Sequence, residues 1–222
     1  MRILKTNGRK SLLYGAVLLM AFALWTVMII FVDVQPVGVS GTSVGLAALN
    51  SWVHSLTGVH LTIYNITDWA GLVPVAVCMV FGTVGLAQAI KRKSLFKVDC
   101  DVIVLGVYYI VVIACYIVFE MMPINYRPIL INGFMETSYP SSTTLLVLGV
   151  MPTLVFQANR RVKKTVLKRI VSVSAAVFSL LMVLGRFVSG VHWLTDIVGS
   201  VFLSGGLFYI YKGTVLLICK EK

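Results

Sequence analysis

Six apolar runs, each about as long as a bilayer crossing, constrain this chain more than any other feature of its sequence. A helix needs roughly 20 residues to cross the hydrocarbon core of a membrane. The runs fall at 12–32, 69–90, 102–122, 140–157, 170–188 and 196–218, and we read each as a spanning helix. The fourth is short, which predicts an outer end lined by protein rather than lipid. Hydrophobic residues make up 59% of the chain and charged ones only 12%. Soluble domains carry about 25% charged residues, so a water-facing globule is excluded.

The expected fold is therefore all-α: one membrane domain over 1–222 with six transmembrane helices and one outer interfacial amphipathic helix. That extra helix is expected over 44–56, where apolar residues recur at helical spacing and Trp52 is placed at headgroup depth. Arg2, Lys5, Arg9 and Lys10 precede the first run in the manner of a secretory signal. That run is longer than the roughly 7–15 residues of a signal core, and no A-x-A site follows it. It is expected to remain as the first span. Cys78, Cys100, Cys115 and Cys219 fall in spans or on expected cytoplasmic segments, which argues against a disulfide framework.

Charge sets the expected orientation. All but two of the 19 Lys and Arg residues lie on one side of a six-span layout. They precede span one, join spans two and three (Lys91, Arg92, Lys93, Lys97), join spans four and five (Arg160, Arg161, Lys163, Lys164, Lys168, Arg169), or lie at or near the end of span six (Lys212, Lys220, Lys222). The positive-inside rule makes that side cytoplasmic, with both termini there, in a cell membrane. The clusters read as topological anchors that also attract anionic headgroups. Nucleic acid is not an expected partner, because no soluble domain presents the charge.

The remaining two basic residues, Arg127 and Arg186, land at the outer face, against the orientation bias. Charge at such a place is a functional-site hypothesis. Three strings gather there: EMMPINYRP from Glu120, SYPSSTT from Ser138 and GRFVSGVHWLTD from Gly185. If the last helix begins near His192, Asp196 lies on the same face four residues on and can orient the imidazole. That pairing suits a nucleophile or base. Two arginines can grip a phosphate through forked hydrogen bonds. Ser141, Ser142 and Thr143 at a helix start add hydroxyls and N–H groups to an anion cradle. The same residues also fit a structural His192–Asp196 pair with arginines reaching out to headgroups. His54 and His60, in the first outer segment, lack a second ligand set and are expected to hold no metal.

These strings, in this order, resemble the type 2 phosphatidic acid phosphatase superfamily of membrane lipid phosphatases, whose pattern is K-x6-R-P, P-S-G-H and S-R-x5-H-x3-D. The third string keeps Arg186, His192 and Asp196 at the right spacing, with Gly185 in place of the leading serine. The first keeps Arg127-Pro128 and the second keeps Pro140-Ser141. The resemblance implies His192 as the nucleophile forming a phosphohistidine, Asp196 as its partner, and Arg127, Arg186 and Ser141 as phosphate ligands, without cofactor or metal. It implies a phosphorylated lipid as substrate; the sequence assigns neither oligomeric state nor protein partners.

Three positions depart from the pattern. Glu120 stands at the lysine, Ser142 at the glycine, and Thr143 at the histidine that implies the leaving-group acid. General acid catalysis is worth about 10²–10⁴ in rate. An alkoxide leaving group, comparable to water with its pKa of about 15.7, needs that proton. A phosphate leaving from a diphosphate, with a pKa of about 6, does not. The substrate expected is thus a lipid diphosphate, such as undecaprenyl diphosphate, rather than phosphatidic acid. Glu120, if buried beside the pocket, is an alternative acid. A second reading is an impaired member that binds or presents a phosphorylated lipid or scaffolds membrane partners. A small transporter is a third, supported only by Glu120.

Overall fold

The structure, a computed structural model, describes residues 2–219, with side chains from residue 6 onward. Lys220 and Lys222 of the basic tally lie outside the described residues, as do the side chains of Arg2 and Lys5. Among the described residues eight α-helices follow one another: α1 (Arg2–Phe31), α2 (Ala47–Thr57), α3 (Leu61–Ala70), α4 (Leu72–Arg92), α5 (Cys100–Met121), α6 (Ser142–Arg161), α7 (Thr165–Val188) and α8 (Leu194–Ile218). No strand occurs among the described residues. Among the described residues six segments are long and apolar enough to cross a membrane, so this is an all-α, multi-pass membrane protein.

The second crossing begins earlier than its apolar run. α3 and α4 together form one candidate span, Leu61–Arg92, broken at Gly71, whose N–H bonds the carbonyls of Thr67 and Asp68. Residues 61–68, expected in an outer loop, are helical. Their polar members Tyr64 and Thr67 face the interior of the protein and Asp68 lies at its rim, which is why hydropathy does not mark them. Pro74 stands in the first turn of α4, where a missing N–H costs nothing. α2 occupies the stretch expected for the interfacial helix. It buries Ala47, Asn50 and Val53 and leaves Trp52 and Leu56 exposed.

Hydrophobic burial drives little association between helices already in lipid, so close packing of small residues takes over. α1 and α8 make the most extensive helix pair in the molecule, and glycines line their seam. A Cβ on Gly213 would stand 2.9 Å from the Gly8 carbonyl oxygen, and one on Gly15 would stand 2.9 Å from the Ile210 backbone nitrogen. α6 is the most enclosed span, with 50% of its apolar window buried. That fits the short fourth run, since a helix surrounded by helices need not present an apolar surface to lipid.

The end of the bundle that carries the basic clusters is cross-linked. Arg161 donates to Asp101 Oδ1 at 2.7 Å, to Asp99 Oδ2 at 3.2 Å and to Gln157 Oε1 at 2.7 Å, tying α5 to α6. Part of the basic cluster is therefore structural glue rather than a free headgroup anchor. Cys100 and Cys219 form a disulfide at this end, which corrects the expectation drawn from cysteine positions. The two residues are 119 apart in sequence. Only the packing of α5 on α8 brings the start of one helix to the end of the other.

Candidate active site

At the opposite end, the 123–141 loop folds back on itself and aims a basic side chain inward. Antiparallel bridges pair Tyr126 with Thr137 and Ile131 with Phe134, and Arg127 N–H donates to the Glu136 carbonyl at 3.0 Å. The Arg127 guanidinium ends in a cavity of about 230 Å³, whose wall also holds Glu120, Glu136, Ser138, Ser142 and His192. Its Nη2 pairs with Glu136 Oε2 at 3.1 Å. Its Nε and Nη1 are buried without partners, although unpaired buried donors are costly. Buried donors of this kind suit an anionic ligand.

Arg186 arrives from the last turn of α7 and is almost wholly enclosed, with 1% of its surface exposed. Its Nη2 donates to Thr143 Oγ1 at 2.6 Å and to Asp68 Oδ1 at 3.2 Å, and its Nη1 to the Tyr64 carbonyl and Thr67 Oγ1, each at 3.4 Å. Its Nε has no partner. The Tyr64 ring underlies both arginines, its centroid 4.8 Å from the Arg186 guanidinium carbon and 5.6 Å from that of Arg127. Like charges so close repel, and an aromatic face shared between them offsets part of that cost.

His192 lies just ahead of α8 rather than on it. Trp193 is the N-cap, and Asp196, in the first turn, accepts the Trp193 N–H at 2.8 Å. The same oxygen, Oδ2, stands 3.6 Å from His192 Nδ1. The Ser138 backbone lies beside the ring, yet neither ring nitrogen has a hydrogen bond. Burial holds the imidazole well below its usual pKa, and the positive charges of Arg127 and Arg186 push it lower still. His192 thus lies between two cations that disfavour its protonation, with Nε2 unengaged.

The loop that carries His192 is clamped from α2 and the following turn. His60 N–H donates to the Ser189 carbonyl at 2.9 Å, and His54 Nε2 bonds the Gly190 carbonyl at 3.1 Å. Asn50 exchanges two hydrogen bonds with Thr195 at 3.0 and 3.3 Å. Gly190 has φ +66°, and a Cβ there would fall 1.8 Å from the Gly58 carbonyl oxygen, so no other residue fits this crossing.

The structure brings Arg127, Ser142 and His192 to one cavity wall, with Asp196 behind His192 and Arg186 reaching Thr143. Ser141 is set back from the cavity wall: fully buried, it donates to Thr144 Oγ1 at 3.1 Å. Glu120 lines the cavity but is exposed at the end of α5, so the burial on which an acid role rests is absent. Thr143 accepts from Arg186, and an arginine can only donate, so the threonine hydrogen remains available to an incoming oxygen. Sequence reasoning missed Tyr64, Thr67 and Asp68, because nothing local marks a contact made 118 residues or more away. It also missed Asn125 and Ser138, buried polar residues beside Asp196. Among the described residues, no group of three or more His, Cys, Asp or Glu side chains is placed to hold a metal ion.

A second, apolar groove of about 400 Å³ runs between α4, α5 and α6. Leu72, Val75, Val112, Ile113 and Leu146 line it, with Asp68 and Thr143 at its polar end. It shares Tyr116, Ser142 and Leu145 with the first cavity, and Leu72 and Ile113 are exposed on the outside of the bundle. A polar cavity walled by Arg127 and a histidine without a hydrogen bond, joined to an apolar groove in a helical membrane bundle, suits amphiphilic anions.

Comparisons with known proteins sharpen that class. Residues 107–216, which contain all three strings, match the family model of the PAP2 superfamily. The fold is similar to the crystal structure of a transmembrane PAP2-type phosphatidylglycerolphosphate phosphatase from Bacillus subtilis, with a TM-score of 0.68 and 16% identity over 94% of this chain and 99% of that one. The search of curated proteins gives no match. The match places residues 107–216, with all three strings, in the PAP2 superfamily.

Proposed function

We propose that this protein is a membrane lipid phosphatase that removes the terminal phosphate of a lipid diphosphate, such as undecaprenyl diphosphate, through a phosphohistidine. The observation that carries the reading is His192: a buried imidazole with a free Nε2, set between two buried arginines that each keep at least one N–H without a partner. In this reading the lipid chain lies in the α4–α5–α6 groove and the phosphate enters the cavity.

His192 Nε2 attacks phosphorus, and the bond from phosphorus to the bridging oxygen breaks. The lipid phosphate leaves with that electron pair. Arg127 and Arg186 balance the charge that grows on the equatorial oxygens. Asp196 stabilises the imidazole as it becomes cationic, closing the 3.6 Å gap to Nδ1. Water then attacks the phosphohistidine, releasing inorganic phosphate and restoring neutral His192. Neither candidate takes the place of the missing acid: the Thr143 hydroxyl can donate a hydrogen bond but is a poor proton donor at neutral pH, and Glu120 is exposed. A diphosphate needs none. Basic clusters at the far end of the bundle support a site on the outer side, with both termini cytoplasmic.

Phosphate release by the purified protein in detergent, with undecaprenyl diphosphate or phosphatidic acid and EDTA present, tests the reading. The diphosphate is expected to be the faster substrate, with release abolished in His192→Ala. Faster release from phosphatidic acid overturns the leaving-group argument. No release from either, by folded protein, favours the second reading: a family member that binds or presents a phosphorylated lipid.

A further inference from the structure

Each of the two buried arginines already holds a carboxylate. Arg127 Nη2 pairs with Glu136 at 3.1 Å and Arg186 Nη2 with Asp68 at 3.2 Å. The four partners differ sharply in burial. The arginine side chains are 9% and 1% exposed, whereas Glu136 is 39% and Asp68 56% exposed. The cations are fixed, Arg186 by Thr143, Thr67 and the Tyr64 carbonyl, and both by the Tyr64 ring. The anions reach in from the rim, where water can take them back.

We infer that Asp68 and Glu136 are displaceable internal anions: they occupy the arginines in the empty site, give way to the phosphate, and return as it leaves. The inference deepens the phosphatase reading and names the class of anion the site selects. Burying an uncompensated charge is expensive, so an exchange that preserves the buried charge is favoured. A terminal phosphate dianion replaces two carboxylates with the balance unchanged. A monoanionic diester replaces one charge only, so one arginine must keep its carboxylate in the space the ligand needs. Tyr64 is the fixed part of the device, a positioning residue that keeps the two guanidinium groups together while their anions come and go. The carboxylates weaken phosphate binding, and in return the site does not hold its product.

Equilibrium binding of inorganic phosphate to the full-length protein in detergent, at a pH where phosphate is the dianion, tests this. Asp68→Asn and Glu136→Gln are each expected to bind phosphate up to about fivefold tighter than wild type, the range of a partly exposed ion pair. Tyr64→Leu is expected to bind about tenfold weaker, with Tyr64→Phe restoring wild-type affinity. Dimethyl phosphate, a monoanion, is expected to bind more weakly than phosphate to the wild type. A damaged fold weakens binding, so tighter binding by the neutralised variants has no trivial explanation. Unchanged or weaker phosphate binding in both Asp68→Asn and Glu136→Gln overturns the inference, as does dimethyl phosphate binding as well as phosphate. Binding needs no turnover. A protein that shows these signs but releases no phosphate from any lipid sinks the phosphatase reading and leaves the exchange device standing.

Discussion

At the scale of single residues, the site is a set of buried donors waiting for an acceptor. The fork of Arg186 contacts four oxygens from two helices, α3 and α6, and a lysine carries the same charge without the fork. Arg186→Lys is therefore expected to lower kcat/KM by at least about 10²-fold, the scale of losing one preorganised donor to developing charge. Thr143→His restores a proton donor at the position that lacks one. It should raise release from phosphatidic acid by more than release from a diphosphate, and equal effects on both would remove the leaving-group argument. The pH behaviour follows from the lowered His192 pKa. An ordinary imidazole is half protonated near pH 6.5; His192 should stay neutral through that pH and gain its proton only in more acidic solution. NMR titration of the imidazole, assigned with His192→Ala, reads this directly, and a midpoint at or above about 6.5 contradicts the burial argument. The third string was legible because Arg186, His192 and Asp196 sit in one contiguous stretch. Tyr64 and Asp68 were not, because a residue whose partner is more than a hundred positions away leaves no local pattern.

At the scale of elements, hydropathy located every crossing and misplaced the edges where helices face protein. α3 was hidden because its inward side chains are polar, and α6 looked short because it is enclosed. The same reasoning hid the Cys100–Cys219 disulfide, since topology assigns a cysteine to a side of the membrane and says nothing of its neighbours there. The α1–α8 seam gives a sharper element-level test. Gly213→Leu puts a side chain where even a Cβ would stand 2.9 Å from the Gly8 carbonyl. Overpacking costs about 1–3 kcal/mol where the neighbours can shift, and backbone cannot shift cheaply. Thermal unfolding in detergent should show a clear loss of stability for Gly213→Leu and little change for a leucine at Gly82, where a Cβ meets open space.

At the scale of the whole molecule, the two ends of the bundle divide the work: salt-bridged and disulfide-linked at the basic end, open and anion-seeking at the other. The proposed orientation is testable on intact cells. A cysteine at Phe134, 73% exposed in the 123–141 loop, should react with a membrane-impermeant maleimide added outside. A cysteine at Lys93, beyond the end of α4, should react only after permeabilisation; the reverse pattern inverts the topology. The groove between α4 and α5 has a further consequence. A substrate that reaches the cavity through it never enters water, so its effective concentration is its mole fraction in the bilayer. Turnover by the reconstituted protein should then fall when inert phospholipid is added at constant total substrate. Diluting the same vesicles with buffer should leave the rate per protein unchanged, because encounters are counted per area of membrane rather than per volume.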